Sequence, residues 1–224
     1  MITVHHLENS RSQRVLWLLE ELKLDYKIEH YSRDSKTRLA PPELLTIHPL
    51  GKSPVITDDD KVIAESGAIV EYVLANHGGG QLLPEIGSPA HRRYQYWLHY
   101  AEGTFMPLMV MSLIFNTIEQ KSPLIVKPIA KGICSKVKDG FLMPNIGRNL
   151  DHMEQTLAEH EWFAGDAMTG ADILMSFPVE AASVRTNLKS DYPRLRAFLD
   201  RIQSRPAWLR AIEKGGPYEL ISRA

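Results

Sequence analysis

Two places along the chain set polar side chains beside backbone amides that are free to meet an anion. Glu65-Ser66 stands where a strand pattern gives way to a helix pattern. The first turn of a helix offers unpaired N–H groups and the positive end of the dipole to a carboxylate. By residue type alone Ser66 reads as a helix cap and Glu65 as a first-turn acid. The second place is Leu7-Glu8-Asn9-Ser10-Arg11-Ser12-Gln13-Arg14, which follows the first strand pattern. Ser10 with Gln13 three residues later spells a capping box for the next helix. A capping hydroxyl accepts from amides and keeps its own hydrogen, so it remains able to donate to an anionic atom. The Asn9 amide can donate as well, Ser12 is a third donor, and Arg11 adds positive potential. Cys134 is the only cysteine, which leaves no intrachain disulfide or thiolate cluster, and a thiol used in chemistry here is expected to arrive with a ligand. His5-His6 lies inside a strand pattern and reads as sheet; no His, Cys or carboxylate set has ligand spacing, and no metal is expected.

Those residues need positioning. Ile2 to Leu7 reads as a buried strand, and Val15, Leu16, Leu18, Leu19 and Leu22 mark one helical face after it. Tyr26, Ile28 and Tyr31 suggest a second strand, and strand-helix-strand implies a parallel pair. Ala40-Pro41-Pro42 breaks the pattern before Glu43 to Ile47. Pro54 to Thr57 and Lys61 to Ala64 flank Asp58-Asp59-Asp60 as a hairpin, and Ser66 to Asn76 follows as a helix with Ile69, Val70 and Val73 inward. Gly78-Gly79-Gly80 and Pro84 to Pro89 mark a change of composition, so residues 1–78 are expected to form one domain, 79–88 a linker and 89–224 a second domain. In the second half apolar residues recur at helical spacing, at Trp97, Tyr100, Ala101, Phe105 and Leu108 and again at Ile146, Leu150, Met153 and Leu157. Thr169 and Asp172 frame a further helix start, and Tyr192-Pro193 opens another.

With 44% apolar residues the chain can bury a core, and 26 basic against 27 acidic residues leave a formal charge of -1. No field draws it to nucleic acid or an anionic membrane, although Arg92-Arg93 and Lys127 to Lys138 are local basic patches. The start of the chain lacks the basic and apolar regions of a signal segment, and no apolar run reaches spanning length, which predicts a cytoplasmic protein.

His48-Pro49-Leu50-Gly51-Lys52-Ser53-Pro54-Val55-Ile56, then Glu65-Ser66-Gly67-Ala68-Ile69, resembles the glutathione-binding stretch of the cytosolic glutathione transferases. Thr169 to Asp172 resembles the capping box of their helical domain, and Leu7 to Arg14 their serine-type pattern, as found in bacteria and fungi. The resemblance covers nearly the whole chain and implies an α/β thioredoxin-like N-terminal domain followed by an all-α C-terminal domain. His48 departs from the Asn common before the matching proline; a structural role is expected for it.

The resemblance also implies roles. Pro54 would follow a cis bond, which costs little only before proline, and Ser53 would pair its main chain with the cysteinyl part of glutathione. Ser66 and Glu65 would hold the γ-glutamyl carboxylate and ammonium, and Lys52 the glycyl carboxylate. A cysteine thiol titrates near 8.5 and attacks as thiolate, so about 2.7 kcal/mol of differential interaction would lower its pKa by about 2. The resemblance puts Ser10 at that task, with Asn9 as substitute. Phe105, Met106, Met109, Met111 and Phe115 are the candidate electrophile wall, since methionine adapts to varied apolar shapes; Asn116 and Tyr100 are candidate polar contacts. The implied activity is conjugation of the glutathione thiolate to a small apolar electrophile, as in detoxification. Glutathione would serve as substrate, with no cofactor, in a homodimer. Hydroperoxide reduction at the same site and a non-catalytic glutathione-binding module are the alternatives.

Overall fold

The computed structural model describes residues 1–185 and 191–220; positions 186–190 and 221–224, inside the expected second domain, lie outside the described residues. Four strands, β1 (Ile2–Leu7), β2 (Tyr26–Tyr31), β3 (Val55–Asp58) and β4 (Lys61–Ala64), form one sheet in the order β2-β1-β3-β4. β1 runs parallel to β2, with Val4 opposite Ile28, and antiparallel to β3, with Val4 opposite Ile56. The short strand β3 turns straight back into β4. Asp58 closes β3 instead of standing in the turn, where it accepts from His77 at 2.8 Å and Tyr72 at 3.0 Å.

Helices α1 (Ser12–Glu21) and α2 (Ser66–His77) pack on this sheet. The apolar stripe of α1 is buried as its periodicity predicts, but Ser12, Gln13, Arg14 and Glu20 are buried too. The reason is long-range: α7 (Gly170–Arg185) and α9 (Pro206–Gly215) cover the flanks of α1 that the sequence reads as polar. Glu20 takes hydrogen bonds from Tyr26, Arg210 and Lys214, and Arg205 grips Glu21, so polar groups on α1 serve to dock α9.

The second half is helical among the described residues. It adds α3 (Pro89–Tyr100), α4 (Met106–Lys121), α5 (Lys127–Val137), α6 (Met143–Glu159) and α8 (Pro193–Gln203) to α7 and α9. Trp97, Phe105, Met109, Met153, Phe163 and Phe198 fill its core. Large side chains of this kind contribute about 1.5–3 kcal/mol each on burial. The capping box forms as read: Asp172 accepts from the Thr169 amide at 2.8 Å and the Thr169 hydroxyl accepts from the Ala171 amide at 3.3 Å. A wide turn, Ala101–Phe105, joins α3 to α4 without a break. The expectation that no segment reaches spanning length is thereby corrected: Pro89–Lys121 is one helix of 33 residues, long and apolar enough to cross a membrane by length and composition alone. Tyr94, Trp97, Leu98, Phe105 and Met109 on it are buried in the core.

Candidate active site

β1 ends at Leu7, and the chain must turn sharply to enter α1. Asn9 makes that turn with φ 50°, a conformation Asn tolerates better than most residues. The capping box read at Ser10 and Gln13 does not form. Arg11 stands at the cap position and the Gln13 side chain turns inward toward Gly215, so only the Ser10 half remains, accepting from the Ser12 amide at 3.2 Å. The Ser10 hydroxyl also lies 2.7 Å from that of Ser12, which is 2.9 Å from Nδ1 of His6. The Asn9 amide is engaged at both ends, donating to the Glu219 carboxylate at 3.1 Å and accepting from the Glu219 backbone at 2.8 Å.

The Ser53–Pro54 bond is cis. The Ser53 hydroxyl donates to the His5 carbonyl at 2.9 Å, while neither its amide nor its carbonyl enters a turn or loop hydrogen bond among the described residues. His48 explains its departure from the Asn of the resembled pattern: its Nδ1 accepts the Leu50 amide at 3.3 Å, and its carbonyl accepts the amide of Gly51, which has φ 55°. The loop that carries Lys52 and Ser53 is tied by that ring. At the start of α2, Glu65 takes φ 71° and no side chain caps the helix. The first-turn amides therefore lack a side-chain partner, the condition for anion binding.

Ser66 is buried and accepts from Nη2 of Arg14 at 2.9 Å, leaving its own hydrogen to donate. Arg14 is a buried cation whose fork also reaches the Leu174 carbonyl at 2.6 Å and pairs with Glu102. Glu102 pairs with Arg11 as well, at 3.0 Å, so the positive potential expected from Arg11 is partly neutralised. The wide turn between α3 and α4 presents Glu102 to both arginines. Turns of this kind recur at functional sites.

A cleft of about 650 Å³ opens between the two halves. Asn9, Ser10, Lys52, Ser53 and Met106 line it, together with Arg11, among the residues expected at the site. Glu65, Ser66 and Pro54 are not part of its lining. Phe105 and Met109 do not face it: both are fully buried in the core, and Phe115 packs partly buried against that core. The cleft wall is instead Met106, Val110 and Leu113, with Phe177 from α7. Phe105 and Met109 lie one position out of phase with Met106 and Val110, so they occupy the next stripe of the same helix. The spacing 106, 110, 113 was the signal for the right stripe; Phe177 had none in its local sequence. Tyr100 and Asn116 are held elsewhere, by Asn149 and Lys138. Arg33, unforeseen from sequence, also lines the cleft and donates to the Glu8 and Asn9 carbonyls at 3.1 and 3.3 Å, bracing the turn.

A thioredoxin-like sheet domain carrying a cis-proline loop, with a helical domain closing the cleft beside it, defines a class of thiol-binding proteins, and relatives narrow it. The family model for the N-terminal domain of glutathione S-transferases matches residues 1–75 and that for their C-terminal domain residues 139–206. Glutathione S-transferase 3 of Schizosaccharomyces pombe is 34% identical over 96% of this chain and 88% of its own length. Glutathione S-transferase 1 of Saccharomyces cerevisiae is 33% identical over 96% and 95%. A crystal structure of a glutathione S-transferase from Actinobacillus pleuropneumoniae superposes with a TM-score of 0.80 at 33% identity, covering 100% of this chain and 97% of that one. The chain belongs to the glutathione S-transferase family.

Proposed function

We propose that this chain catalyses attack of the glutathione thiolate on a small apolar electrophile. Ser10 donates a hydrogen bond to the sulfur, the Ser53 main chain pairs with the cysteinyl unit, and Lys52 meets the glycyl carboxylate. The free amides of α2, with Ser66 and Glu65, take the γ-glutamyl end. Met106, Val110, Leu113 and Phe177 receive the electrophile. One observation carries the reading: Ser10, Lys52 and Ser53 face the same cleft as that apolar wall, so thiol and electrophile would share one space. The relatives are transferases by name, which favours conjugation over hydroperoxide reduction or silent binding. Glutathione is the substrate and no further cofactor takes part in the reaction.

Turnover of an aromatic chloride with glutathione tests this. Ser10→Ala should lose about tenfold or more in kcat/KM, about 1.4 kcal/mol, while still binding immobilised glutathione. Asn9→Ala should lose less, because the Asn9 amide is already taken by Glu219. A Ser10→Ala protein with wild-type turnover removes Ser10 from the mechanism, and a wild type that binds glutathione without turnover removes the enzyme.

The family resemblance supports a cytoplasmic detoxifying homodimer, the sheet domain of one subunit against the helical domain of the other. Light scattering should then give twice the chain mass; the mass of a single chain at micromolar concentration would overturn it.

A further inference from the structure

Ser10 does not stand alone. Its hydroxyl heads a buried chain of hydrogen bonds that runs through Ser12 and His6 to the last carbonyl of α9. The direction of every hydrogen in that chain follows from its far end. The Gly215 carbonyl, 3.0 Å from Nε2 of His6, can only accept, so Nε2 carries a hydrogen. Burial foremost, and then His30 facing the ring at 5.6 Å, lower the His6 pKa to about 4, so the ring is neutral at physiological pH and Nδ1 is an acceptor. The Ser12 hydroxyl must then donate to Nδ1 at 2.9 Å; the Leu7 carbonyl at 3.4 Å is a further acceptor within its reach, and a hydrogen given to either is not given to Ser10. What Ser12 offers Ser10 is therefore an oxygen lone pair 2.7 Å away.

We propose that Ser12, oriented by His6 and the Gly215 carbonyl, is a positioning residue that holds the Ser10 hydrogen inward, so that the glutathione sulfur must compete with the Ser12 oxygen for it. This rests on the reading of Ser10 as the thiolate's donor. Without ligand the Ser10 hydrogen is already engaged: it goes to Ser12, while the Ser10 oxygen takes the Ser12 amide at 3.2 Å. A neutral thiol offers too little to draw that hydrogen away. A thiolate, whose S–H bond has broken with the proton passed to solvent, offers a charge-assisted bond, roughly twice as strong as a neutral one. The Ser10 hydroxyl then swings to sulfur, and Ser12 loses only an accepted bond. The buried seat of Ser10 keeps the rotor in place for both positions. His6 is not the proton acceptor: a ring titrating at about 4 is far too weak a base for a thiol near 8.5.

Other charges face this corner. Arg11 and Arg14 are bound to Glu102, Arg33 sits on the Glu8 and Asn9 carbonyls, and Lys52 lines the cleft. All act on the thiolate in every variant alike, so variants at Ser12 isolate the competition.

The experiment is a pH titration of enzyme-bound glutathione, read by thiolate absorbance in the ultraviolet, with binding of each protein to glutathione measured first by calorimetry. Ser10→Ala should raise the pKa of the bound thiol. Ser12→Ala, which removes the competing oxygen, should lower it by about 0.5–1, the size of one net hydrogen bond. The same displacement should appear in the acid limb of the kcat/KM profile for the electrophile, measured with glutathione saturating. Ser12→Gly serves as a second variant without the oxygen should the alanine protein fail to fold, and Ser12→Thr, which restores an acceptor, should return the titration to the wild-type value. A Ser12→Ala protein that titrates at or above the wild-type pKa, while Ser10→Ala is raised, overturns the competition and leaves the Ser10 reading intact. A Ser10→Ala protein with an unchanged thiol pKa overturns the Ser10 reading itself.

Discussion

Single residues here hold more than one partner, and Arg14 shows what that requires. Its guanidinium is buried on α1 and spreads over the Leu174 carbonyl, the Ser66 hydroxyl and Glu102, with the Phe177 ring 5.5 Å from its centre. Only a planar fork with several fixed donors can reach three acceptors in different directions. Arg14→Lys keeps the charge but not the fork. It should cost on the order of 2–4 kcal/mol in urea unfolding, since Glu102 and the Leu174 carbonyl would lose buried partners. Glutathione binding should weaken with it, because Ser66 would lose the donor that aligns its hydroxyl. Unchanged stability and affinity in Arg14→Lys would show that charge alone suffices at this position.

At the scale of elements, the contact that matters most for the site is α9 on α1. Gly215 ends α9 so close to α1 that an added Cβ would stand 2.3 Å from the Gln13 side-chain oxygen Oε1 and 2.9 Å from Leu16 Cδ1. The same residue supplies the carbonyl that orients His6. Gly215→Ala should therefore act twice, destabilising the fold by about 1–3 kcal/mol through overpacking and disturbing the chain of hydrogen bonds to Ser10. Thermal unfolding and conjugation rate measured side by side check it. A protein as stable and as active as wild type would mean that Gln13 swings aside at no cost. The ionic groups between these helices support the same contact: burial opposes ionisation of Glu20, but hydrogen bonds from Lys214, Arg210 and Tyr26 outweigh it and hold the carboxyl below its usual range.

Across the whole molecule, the C-terminal segment links the helical half to the turn between β1 and α1. Tyr218 donates to Glu180 on α7 at 2.6 Å, and the next residue, Glu219, holds Asn9. Burial pushes the Glu180 carboxyl from 4.5 up to about 7, against the hydrogen bonds from Tyr218 and neighbours that favour its charge. The folded chain thus keeps a proton that the unfolded chain releases between those values. Its contribution to stability is full below about 4.5 and is lost as pH rises through about 7. Glu180→Gln, which stays neutral at every pH, should flatten the fall of stability between pH 4.5 and pH 7 and be the more stable protein, relative to wild type, at the upper end of that range. Denaturant midpoints at several pH values measure this; parallel curves for the two proteins would contradict it.

What the sequence determined is what neighbours in the chain can encode. The strands with their β-branched runs, the helical stripes of α1, α2 and α6, the cap at Thr169 and Asp172 and the loop ending in Ser53-Pro54 all depend on spacings of a few residues, where backbone geometry leaves few outcomes. Ser10, Lys52 and Ser53, which line the cleft, were legible as candidates for that reason, as residues of short patterns. Tertiary structure decided which of several equally good local readings prevailed. Gln13 gave up its half of a capping box because α9 packs over it, and Phe105 and Met109 went to the core because the turn at Ala101–Phe105 sets the phase of α4. His6, Arg33, Phe177, Gly215 and Glu219 reached the site from strands, loops and helices as much as 210 residues apart. Their positions follow from how surfaces fit, and close packing is a property of the assembled shape, not of any stretch of chain.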